Sequence, residues 1–525
     1  MADSGQPVHA TWSIYFAQTY VPKPFQAAAI AGGYHHQPDK SPASETHLSE
    51  LVELADKLSA GERADPVEKS QNGKPPNQLV TIFDRVAFKP NKPRAENYLP
   101  LSPLQLEQAH LFPTNAQDKD ARGEAYEKLR EELETAAREN IADPQTYLEH
   151  MLAAMQRLTW CVPSAYYHSI PDVSLYDHSR MTAALAACLA HWKNDKVRAL
   201  LGAMRRDFQD KPRDGDAALM EEDVALLIGG DISGVQDFIY TLTSQGAAKT
   251  LRGRSFYLQL LTEATLRFVL RKLDLPYTNV IYSGGGNFFL LAPVSAKQEL
   301  PRIRREVTGK LLEHHGSALY LALGQVAVPA RGFKRGEFKT HWDRMHRAIG
   351  KAKQQRYQEL DGDLYGRVFE PQTHGGNREK TCDVCGNESE KIIKRDEAKF
   401  CVFCDSVAGL GRDLTRADFV VLGFSEPQDT DKYNAASALR AFGVQVEFVE
   451  KKDNTVEFKS KPERAVVWAL DDLKDGQTFP TVQDVPTARM TRYTVNRIPE
   501  ETFDELQKKS DGIARLGVLR MDVDN

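Results

Sequence analysis

The sequence predicts a multidomain protein of the α+β class. Its 525 residues exceed the length of one domain, because domains of about 100 to 200 residues are usual. Helical hydrophobic spacing fills the first part of the chain, and at residue 224 the pattern changes to alternating strands and helices. Four of the six cysteines then lie between residues 382 and 404, which indicates a separate metal-binding module.

The composition is that of an ordinary globular protein. Hydrophobic residues make up 41% and charged residues 27%, which excludes a disordered or collagen-like chain. The sequence has no apolar run near the ~20 residues of a membrane-spanning helix, and its first ten residues do not have the pattern of a secretory signal. We therefore expect a soluble, cytoplasmic protein with no membrane partner. A formal charge of −5 excludes a basic protein that coats nucleic acid.

The N-terminal helices follow from three- and four-residue hydrophobic spacing. Leu51, Leu54 and Leu58 lie on one apolar face of the first clear helix. Asp143 and Pro144 supply an N-cap and a first-turn proline for a later helix. The helices predicted in this region cover residues 48–58, 124–141, 144–160 and 179–193.

The segment from residue 224 to residue 328 has the order β-α-β-β-α-β. Its predicted elements are a strand over 224–230, a helix over 256–273, strands over 279–282 and 288–292, a helix over 300–314 and a strand over 318–328. This order predicts a ferredoxin-like unit. The two middle strands are joined by Ser283, Gly284, Gly285, Gly286 and Asn287, where glycine allows the positive φ angles of a hairpin. A tight turn and a nucleotide-binding loop explain these glycines equally well.

A basic stretch follows this unit and continues into a helix predicted over 342–359. Residues 331–357 contain nine lysines and arginines, at positions 331, 334, 335, 339, 344, 347, 351, 353 and 356. Such a stretch can lie along a phosphate backbone. A solvated helix face with pairing inside the helix is an equally good interpretation.

The four clustered cysteines have the spacing of a zinc site. Cys382 and Cys385 form one Cys-x2-Cys pair, and Cys401 and Cys404 form the second, with 15 residues between the pairs. Two such pairs complete a closed tetrahedron, so we predict a structural zinc ion. Two redox-active dithiols are the alternative, which we disfavour because the pairs are expected between loops rather than at a helix start.

The region after the cysteines is predicted to contain strands and helices again. A strand is expected over 419–424, a helix over 434–442, and paired strands over 444–450 and 454–459. The last strand leads directly into Asp522 and Asp524.

Two strand ends carry similar polar residues. Asp231 and Ser233 follow the strand predicted over 224–230, and Asp522 and Asp524 follow the last predicted strand. Alternate residues of a strand share one face, so two carboxylates there suit a hard divalent cation that also binds nucleotide phosphates. The earlier copy has serine in place of the second aspartate and is expected to hold a catalytic metal poorly.

The sequence resembles the large, polymerase-like subunit of type III-A CRISPR (Csm) effector complexes. The segments that carry the resemblance are Val173-Ser-Leu-Tyr-Asp-His178, Gly230-Asp-Ile-Ser-Gly-Val-Gln-Asp-Phe-Ile-Tyr240, Leu251-Arg-Gly-Arg-Ser-Phe-Tyr257, Tyr282-Ser-Gly-Gly-Gly-Asn-Phe-Phe289 and Met521-Asp-Val-Asp-Asn525. The resemblance implies two ferredoxin-like palm domains that bind two ATP molecules. In the family, a Gly-Gly-Asp-Asp hairpin of the second palm joins ATP into cyclic oligoadenylates with magnesium.

The resemblance also implies roles for individual residues. The first ATP site would contain Asp231, Ser233 and the five residues 283–287, and Asp522 and Asp524 would begin the catalytic second site. His35, His36 and Asp56 resemble late metal ligands of the family's HD domain, a single-stranded DNA nuclease that holds a divalent transition metal. Without the resemblance, these three would be interpreted as surface residues.

The sequence departs from the family pattern at both ends. It contains no Gly-Gly-Asp-Asp, and no His-Asp pair precedes His35. We therefore expect a chain truncated at both ends that makes no oligoadenylate by itself. The expected divisions are a partial HD domain and linker (1–100), a helical region (101–218), a first palm (219–370), a zinc module (371–415), an α/β linker (416–512) and the start of a second palm (513–525).

The resemblance implies a subunit of an RNA-guided antiviral complex. Its expected partners are the Csm subunits that carry guide RNA, together with target RNA, single-stranded DNA and ATP. Two other functions fit the sequence: a non-catalytic scaffold that binds ATP and the RNA-containing complex, and a palm-type nucleotidyl cyclase unrelated to CRISPR.

Overall fold

The fold was obtained as a computed structural model. It describes residues 8–62, 77–85, 97–165, 170–242, 247–370, 377–395, 398–428, 433–450, 455–473, 477–494 and 507–509. Among these residues, no helix has the length and apolar character needed to span a bilayer. The predicted second-palm strand, with Asp522 and Asp524, lies outside the described residues.

Helices form the N-terminal region, as the hydrophobic spacing predicts. They are α1 (Val8–Tyr20), α2 (Lys23–Gly32), α3 (Thr46–Ser59), α4 (Gln108–Leu111), α5 (Lys119–Ala137), α6 (Pro144–Thr159), α7 (Leu175–Leu189), α8 (Asn194–Phe208) and α9 (Asp216–Met220). The predicted cap of α6 is present, since an Asp143 carboxylate oxygen accepts from the Thr146 amide across 2.7 Å.

A four-stranded antiparallel sheet follows. Its elements are β1 (Asp223–Ser233), α10 (Val235–Tyr240), α11 (Ala247–Lys272), β2 (Val280–Gly284), β3 (Asn287–Ala292), α12 (Leu300–His315), β4 (Tyr320–Pro329) and α13 (Phe338–Gln354). The strand order is β2-β3-β1-β4, which the β-α-β-β-α-β pattern predicts.

Both faces of this sheet are covered, which explains why residues 224–228 of β1 form an unbroken apolar run. Leu226 and Ile228 pack into one core with α11 and α12. Leu227 faces the opposite way, into a second core with α3, α7, α8 and α13. A strand that is buried on both faces carries apolar residues at successive positions instead of alternating apolar and polar residues.

The remaining elements form a cysteine-containing hairpin and a second sheet. They are β5 (Ile392–Arg395), β6 (Ala398–Cys401), α14 (Val402–Arg416), β7 (Phe419–Phe424), α15 (Ala435–Arg440), β8 (Val444–Val449), β9 (Thr455–Val456), β10 (Arg464–Ala469), β11 (Thr481–Val482) and β12 (Thr487–Thr491). The second sheet has the order β12-β10-β7-β8. The predicted pairing of strands 444–450 and 454–459 is wrong, because β8 pairs with β7 and the short β9 pairs with β11.

A buried charge network ties the helical region to both sheets. Arg267 of α11 donates to Glu149 of α6 across 2.7 Å and to Glu263 across 2.8 Å. Arg492, which follows β12, lies 3.3 Å from Glu263. Buried charges are tolerated only when they are paired, so this network fixes how the three elements meet.

Candidate nucleotide and metal sites

The end of β1 lies beside the glycine hairpin that joins β2 to β3. Asp231 stands opposite Asn287 in the pairing of β1 with β3. Gly284 pairs with Asn287, which leaves Gly285 and Gly286 as a two-residue loop. Their φ angles are +60° and +87°, as a type I′ hairpin turn requires at both central positions. The two halves of the predicted nucleotide site are therefore neighbours.

A lysine that the sequence did not assign to this site pairs with Asp231. Lys353 Nζ lies 2.7 Å from Asp231 Oδ2, and both side chains are partly exposed. Lys353 reaches the end of β1 because α13 packs closely on the sheet. A Cβ at Gly324 of β4 would lie only 3.0 Å from Ile349 of α13. The ammonium group neutralises the carboxylate, so a polyanion meets less repulsion at this strand end.

Ser233 shares a sheet face with Asp231, since alternate strand residues point the same way. Ser233 is 8% exposed, and its hydroxyl has no hydrogen-bond partner within the described residues. An unpartnered buried hydroxyl costs about 1–3 kcal/mol. A ligand oxygen at this point would supply the missing partner.

The four predicted cysteines form one cluster. All four sulfur atoms lie within 4.8 Å of one another, and the Cys385 and Cys401 sulfurs are 3.9 Å apart. Tetrahedral zinc with Zn–S bonds of about 2.3 Å places sulfurs about 3.8 Å apart, whereas a disulfide needs about 2 Å. The six cysteines are unbridged. The cluster can therefore bind zinc.

The second cysteine pair opens a helix, contrary to the expectation that both pairs lie between loops. Cys401 is the N-cap of α14, and its sulfur accepts from the Cys404 amide across 3.4 Å. The positive end of a helix dipole stabilises a thiolate there. Because Cys401 and Cys404 lie at a helix start, their position no longer argues against redox chemistry. A metal site is favoured instead because all four sulfurs converge on one point.

A buried arginine of α11 contacts the cluster. Arg254 is 2% exposed and donates to the Cys404 sulfur across 3.3 Å and to the Phe238 carbonyl across 2.7 Å. Its positive charge offsets part of the negative charge of the thiolates.

The helices α11 and α14 touch through glycine. A Cβ at Gly253 would lie 2.1 Å from the Val407 carbonyl oxygen, and one at Gly411 would lie 2.2 Å from the Lys249 carbonyl oxygen. Arg252 donates to the Gly411 carbonyl across 3.1 Å. The segment 251–257 therefore docks the cysteine cluster onto the first sheet, which is a structural role for a motif found by resemblance.

Three histidines converge near the N-terminus. The ring nitrogens of His9, His35 and His36 lie within 4.8 Å of one another. His35 Nδ1 lies 2.8 Å from the Gly32 carbonyl oxygen, and donation by Nδ1 leaves Nε2 free to bind a metal. Partial burial and the charges of His35 and His9 lower the pKa of His36 to about 4. Neutral imidazole is the form that binds metals, so the donor set fits a transition metal.

Asp56 pairs with a fourth histidine. His178 Nε2 lies 2.9 Å from Asp56 Oδ1, and His178 Nδ1 lies 3.0 Å from the Ser59 hydroxyl. The Asp56 charge nevertheless acts to raise the pKa of His9 and His36, against the larger effect of burial. Of the three predicted ligands, the structure brings together His35 and His36 and adds His9.

Comparison with known proteins shows which proteins this chain is similar to. The family described as Csm1 subunit domain B matches residues 224–369. A protein of Methanocaldococcus jannaschii, described as a CRISPR system single-strand-specific deoxyribonuclease Cas10/Csm1 (subtype III-A), is 28% identical over 90% of this chain and 64% of its own length. The Mycobacterium tuberculosis protein of the same description is 30% identical over 78% of this chain and 48% of its own length.

The chain is similar over most of its length to the Cas10/Csm1 proteins of type III-A CRISPR complexes, and its residues 224–369 match Csm1 domain B.

Solved structures of the family share the fold. A crystal structure of a Csm1-Csm4 cassette in complex with one ATP has a TM-score of 0.62 at 20% identity, over 98% of this chain and 61% of that chain. A cassette in complex with cA4 has a TM-score of 0.61 at 20% identity, over 98% of this chain and 60% of that chain. The chain thus spans less than two thirds of the length of these Cas10/Csm1 proteins.

The match to Csm1 domain B starts in β1 and ends beyond α13. It includes Asp231, the glycine hairpin and Lys353, whereas the cysteine cluster and the histidines lie outside it. Sequence reasoning missed Lys353, Arg254, His9 and His178. Arg254 and His178 stand in segments that carried the resemblance, which was a usable signal. Lys353 belongs to the basic stretch, but nothing in that stretch distinguished it from the other cations, and His9 had no signal of its own.

Proposed function

We propose that this chain carries the ATP-binding palm of a type III-A CRISPR large subunit. The observation that supports it best is the juxtaposition of Asp231, the Gly285-Gly286 turn and Lys353 at one strand end. A Csm1-Csm4 cassette of the same fold was crystallised in complex with one ATP, which agrees with this proposal.

The residues at this strand end suit a triphosphate. Lys353, which pairs with Asp231, supplies a positive charge, and Ser233 supplies a hydroxyl without a partner in the described chain. The turn presents backbone N–H groups without side chains above them. One carboxylate, Asp231, is available to magnesium carried by the nucleotide. The site would therefore bind ATP without catalysing its conversion. In the whole protein, Asp522 and Asp524 would belong to a second palm that joins ATP into cyclic oligoadenylates with magnesium.

The histidine group favours a second activity, metal-dependent cleavage of single-stranded DNA. His9, His35 and His36 would hold a divalent transition metal, with Asp56 and His178 beside them. Such a metal supplies an activated water for phosphodiester hydrolysis when bound. The relatives described as single-strand-specific deoxyribonucleases agree with this assignment.

We place the chain in a cytoplasmic complex with other Csm subunits, guide RNA and target RNA. The Csm4 chain named in the cassette structures is the partner of those proteins and the first candidate here. Zinc in the cysteine module would be structural. The proposal also includes the domain division that the sequence predicts. A non-catalytic scaffold remains the alternative, and the similarity to Cas10/Csm1 proteins disfavours a cyclase unrelated to CRISPR.

Isothermal titration of the 525-residue chain with ATP, in magnesium and in EDTA, tests the nucleotide site. Lys353→Met should weaken binding about tenfold or more, because a hydrogen bond to a charged group contributes about 1.5–3 kcal/mol. Lys351→Met is the matched control, since Lys351 is exposed on the same helix and points away from Asp231. Equal affinities for the two variants would contradict the proposal.

A further inference from the structure

An exposed tyrosine lies next to the proposed nucleotide site. Tyr282 of β2 is 52% exposed and stands directly opposite Phe289 in the pairing of β2 with β3. Phe289 packs into the core beneath α13, and directly opposite residues of paired strands point to the same face. Asp231 also points to that face, because it pairs with Lys353 of α13. The tyrosine ring and the groups proposed to bind phosphate therefore share one face of the sheet.

The register of the sheet sets the distance between Tyr282 and Asp231. Asp231 is opposite Asn287, Asn287 is opposite Gly284, and Tyr282 precedes Gly284 by two residues. Two steps of about 4.8 Å between strands and one two-residue step of about 7 Å along a strand give a separation of about 12 Å. A nucleoside triphosphate is long enough to span this distance. A nucleotide with its phosphates at Lys353 can thus place its base over Tyr282.

Gly284 leaves room for the tyrosine ring. Gly285 and Gly286 have the positive φ angles of the turn, whereas Gly284 does not, so its backbone conformation does not require glycine. A Cβ at Gly284 would lie 3.0 Å from the Tyr282 hydroxyl oxygen and 3.4 Å from the ring carbon that bears it. The hydroxyl end of the ring therefore lies over Gly284, on the side of the turn.

A second ring supports Tyr282 from the core side. The ring centroids of Tyr282 and Phe289 are 6.4 Å apart, with the ring planes at 40°, which is within the range of aromatic pairs. Phe289 is itself held by Trp342 at 4.5 Å and by His346 at 5.7 Å, both from α13. A cross-strand aromatic pair stabilises a hairpin, but that contact uses only the side of Tyr282 that faces Phe289. The exposed part of the ring is available to a ligand.

We propose that Tyr282 stacks on the base of the nucleotide whose phosphates lie at Asp231 and Lys353. This inference rests on the proposed nucleotide site and adds the group that binds the base. Stacking on an aromatic side chain is tolerant of sequence, because every base has a π-face. Tyr282 therefore adds affinity for a nucleoside triphosphate over a triphosphate that has no base.

Isothermal titration of the 525-residue chain with ATP and with inorganic tripolyphosphate, both in magnesium, tests the base contact. Tyr282→Ala should weaken ATP binding about fivefold or more, the lower end of the range for one stacked base, and should leave tripolyphosphate binding unchanged. Tyr282→Phe keeps the ring and should bind ATP within about twofold of the unaltered chain. Tyr433→Ala is the matched control, because Tyr433 is exposed and packs on His314 of α12, which covers the opposite face of the sheet.

Gly284→Ala tests the position of the ring. The added methyl group meets the end of a flexible side chain and no backbone atom, so the sheet should stay folded while the ring moves. We expect ATP binding to weaken about threefold. Adding Gly284→Ala to Tyr282→Ala should cause no further weakening, because the ring that the methyl group displaces is then absent. Thermal melting verifies that each variant is folded.

Three results would overturn the base contact: unchanged ATP affinity in Tyr282→Ala, equal losses of ATP and tripolyphosphate affinity in that variant, or an undiminished effect of Gly284→Ala when Tyr282 is already alanine. The proposed nucleotide site fails in a different way. In that case the unaltered chain binds neither ligand, or Lys353→Met changes the affinity for neither, and the base contact fails with the site.

Discussion

Replacing Gly285 with valine tests whether ATP binding needs the hairpin geometry. Gly285 has a φ of +60°, and a Cβ added there meets no heavy atom within 4 Å. The substitution therefore causes no clash, and its whole cost is backbone strain. The left-handed conformation costs an L-residue about 1–2 kcal/mol. If ATP requires this turn, that strain opposes binding, and the dissociation constant should rise about 5- to 30-fold.

Gly285→Asn is the matched control for this experiment. Asparagine adopts the left-handed region readily, and Asn-Gly is a favoured type I′ pair. We expect its ATP affinity to stay within about twofold of the unaltered chain, because the strain at this position is small for asparagine. Isothermal titration measures both variants, and thermal melting verifies that the sheet is folded.

The comparison of the two variants separates backbone strain from side-chain bulk. Unchanged ATP affinity in Gly285→Val would refute the role of the turn in binding. Equal weakening by valine and asparagine would show that strain is not the cause, because the two residues differ mainly in their tolerance of positive φ.

Three further predictions concern the metal sites and the packing around them. Removing zinc by chelation should lower the melting temperature, because metal binding contributes to folding; an undiminished melting temperature in metal-free protein would contradict a structural role. Gly411→Ala should destabilise the chain by about 1–3 kcal/mol in urea unfolding, since its Cβ would lie 2.2 Å from a backbone oxygen. Gly409→Ala is its control, because its nearest contact is a flexible arginine tip at 3.5 Å. Burial lowers the pKa of His315 to about 3, so its stabilising contribution is present above a pH of about 6.5 and is lost as the pH falls. Urea unfolding should show about 2 kcal/mol of this loss by a pH of about 5, and His315→Gln should flatten the slope.

The topology of the first sheet could be predicted because its signals are local. Each strand of the β-α-β-β-α-β unit is a short apolar run, and the hairpin is marked by consecutive glycines. Antiparallel pairing of β1 with β3 then brings Asp231 to Asn287 without further information. The short strand β9 was placed beside the wrong partner, because its two residues carry too little pattern to specify pairing.

Much of the chemistry around the sites depends on residues that are distant in sequence. Arg254 meets the Cys404 sulfur from 150 positions away, and His178 meets Asp56 from 122 positions away. Neither pair leaves a periodic signal, because each contact follows from helix packing. The same reason explains why the basic stretch could not be divided in advance into cations that pair with distant carboxylates, such as Lys334 and Lys353, and cations that do not.

Short segments of the chain were enough to specify the α+β class, the order of the first sheet, the glycine turn and the four-sulfur cluster. Each of these is encoded locally, by hydrophobic periodicity, by a backbone angle that only glycine adopts at little cost, or by ligand spacing. Only the folded molecule shows which cation faces Asp231 and which histidine joins His35 and His36. These contacts depend on how the helices pack against one another and on the sheet. That packing is determined by side chains that are far apart in the sequence.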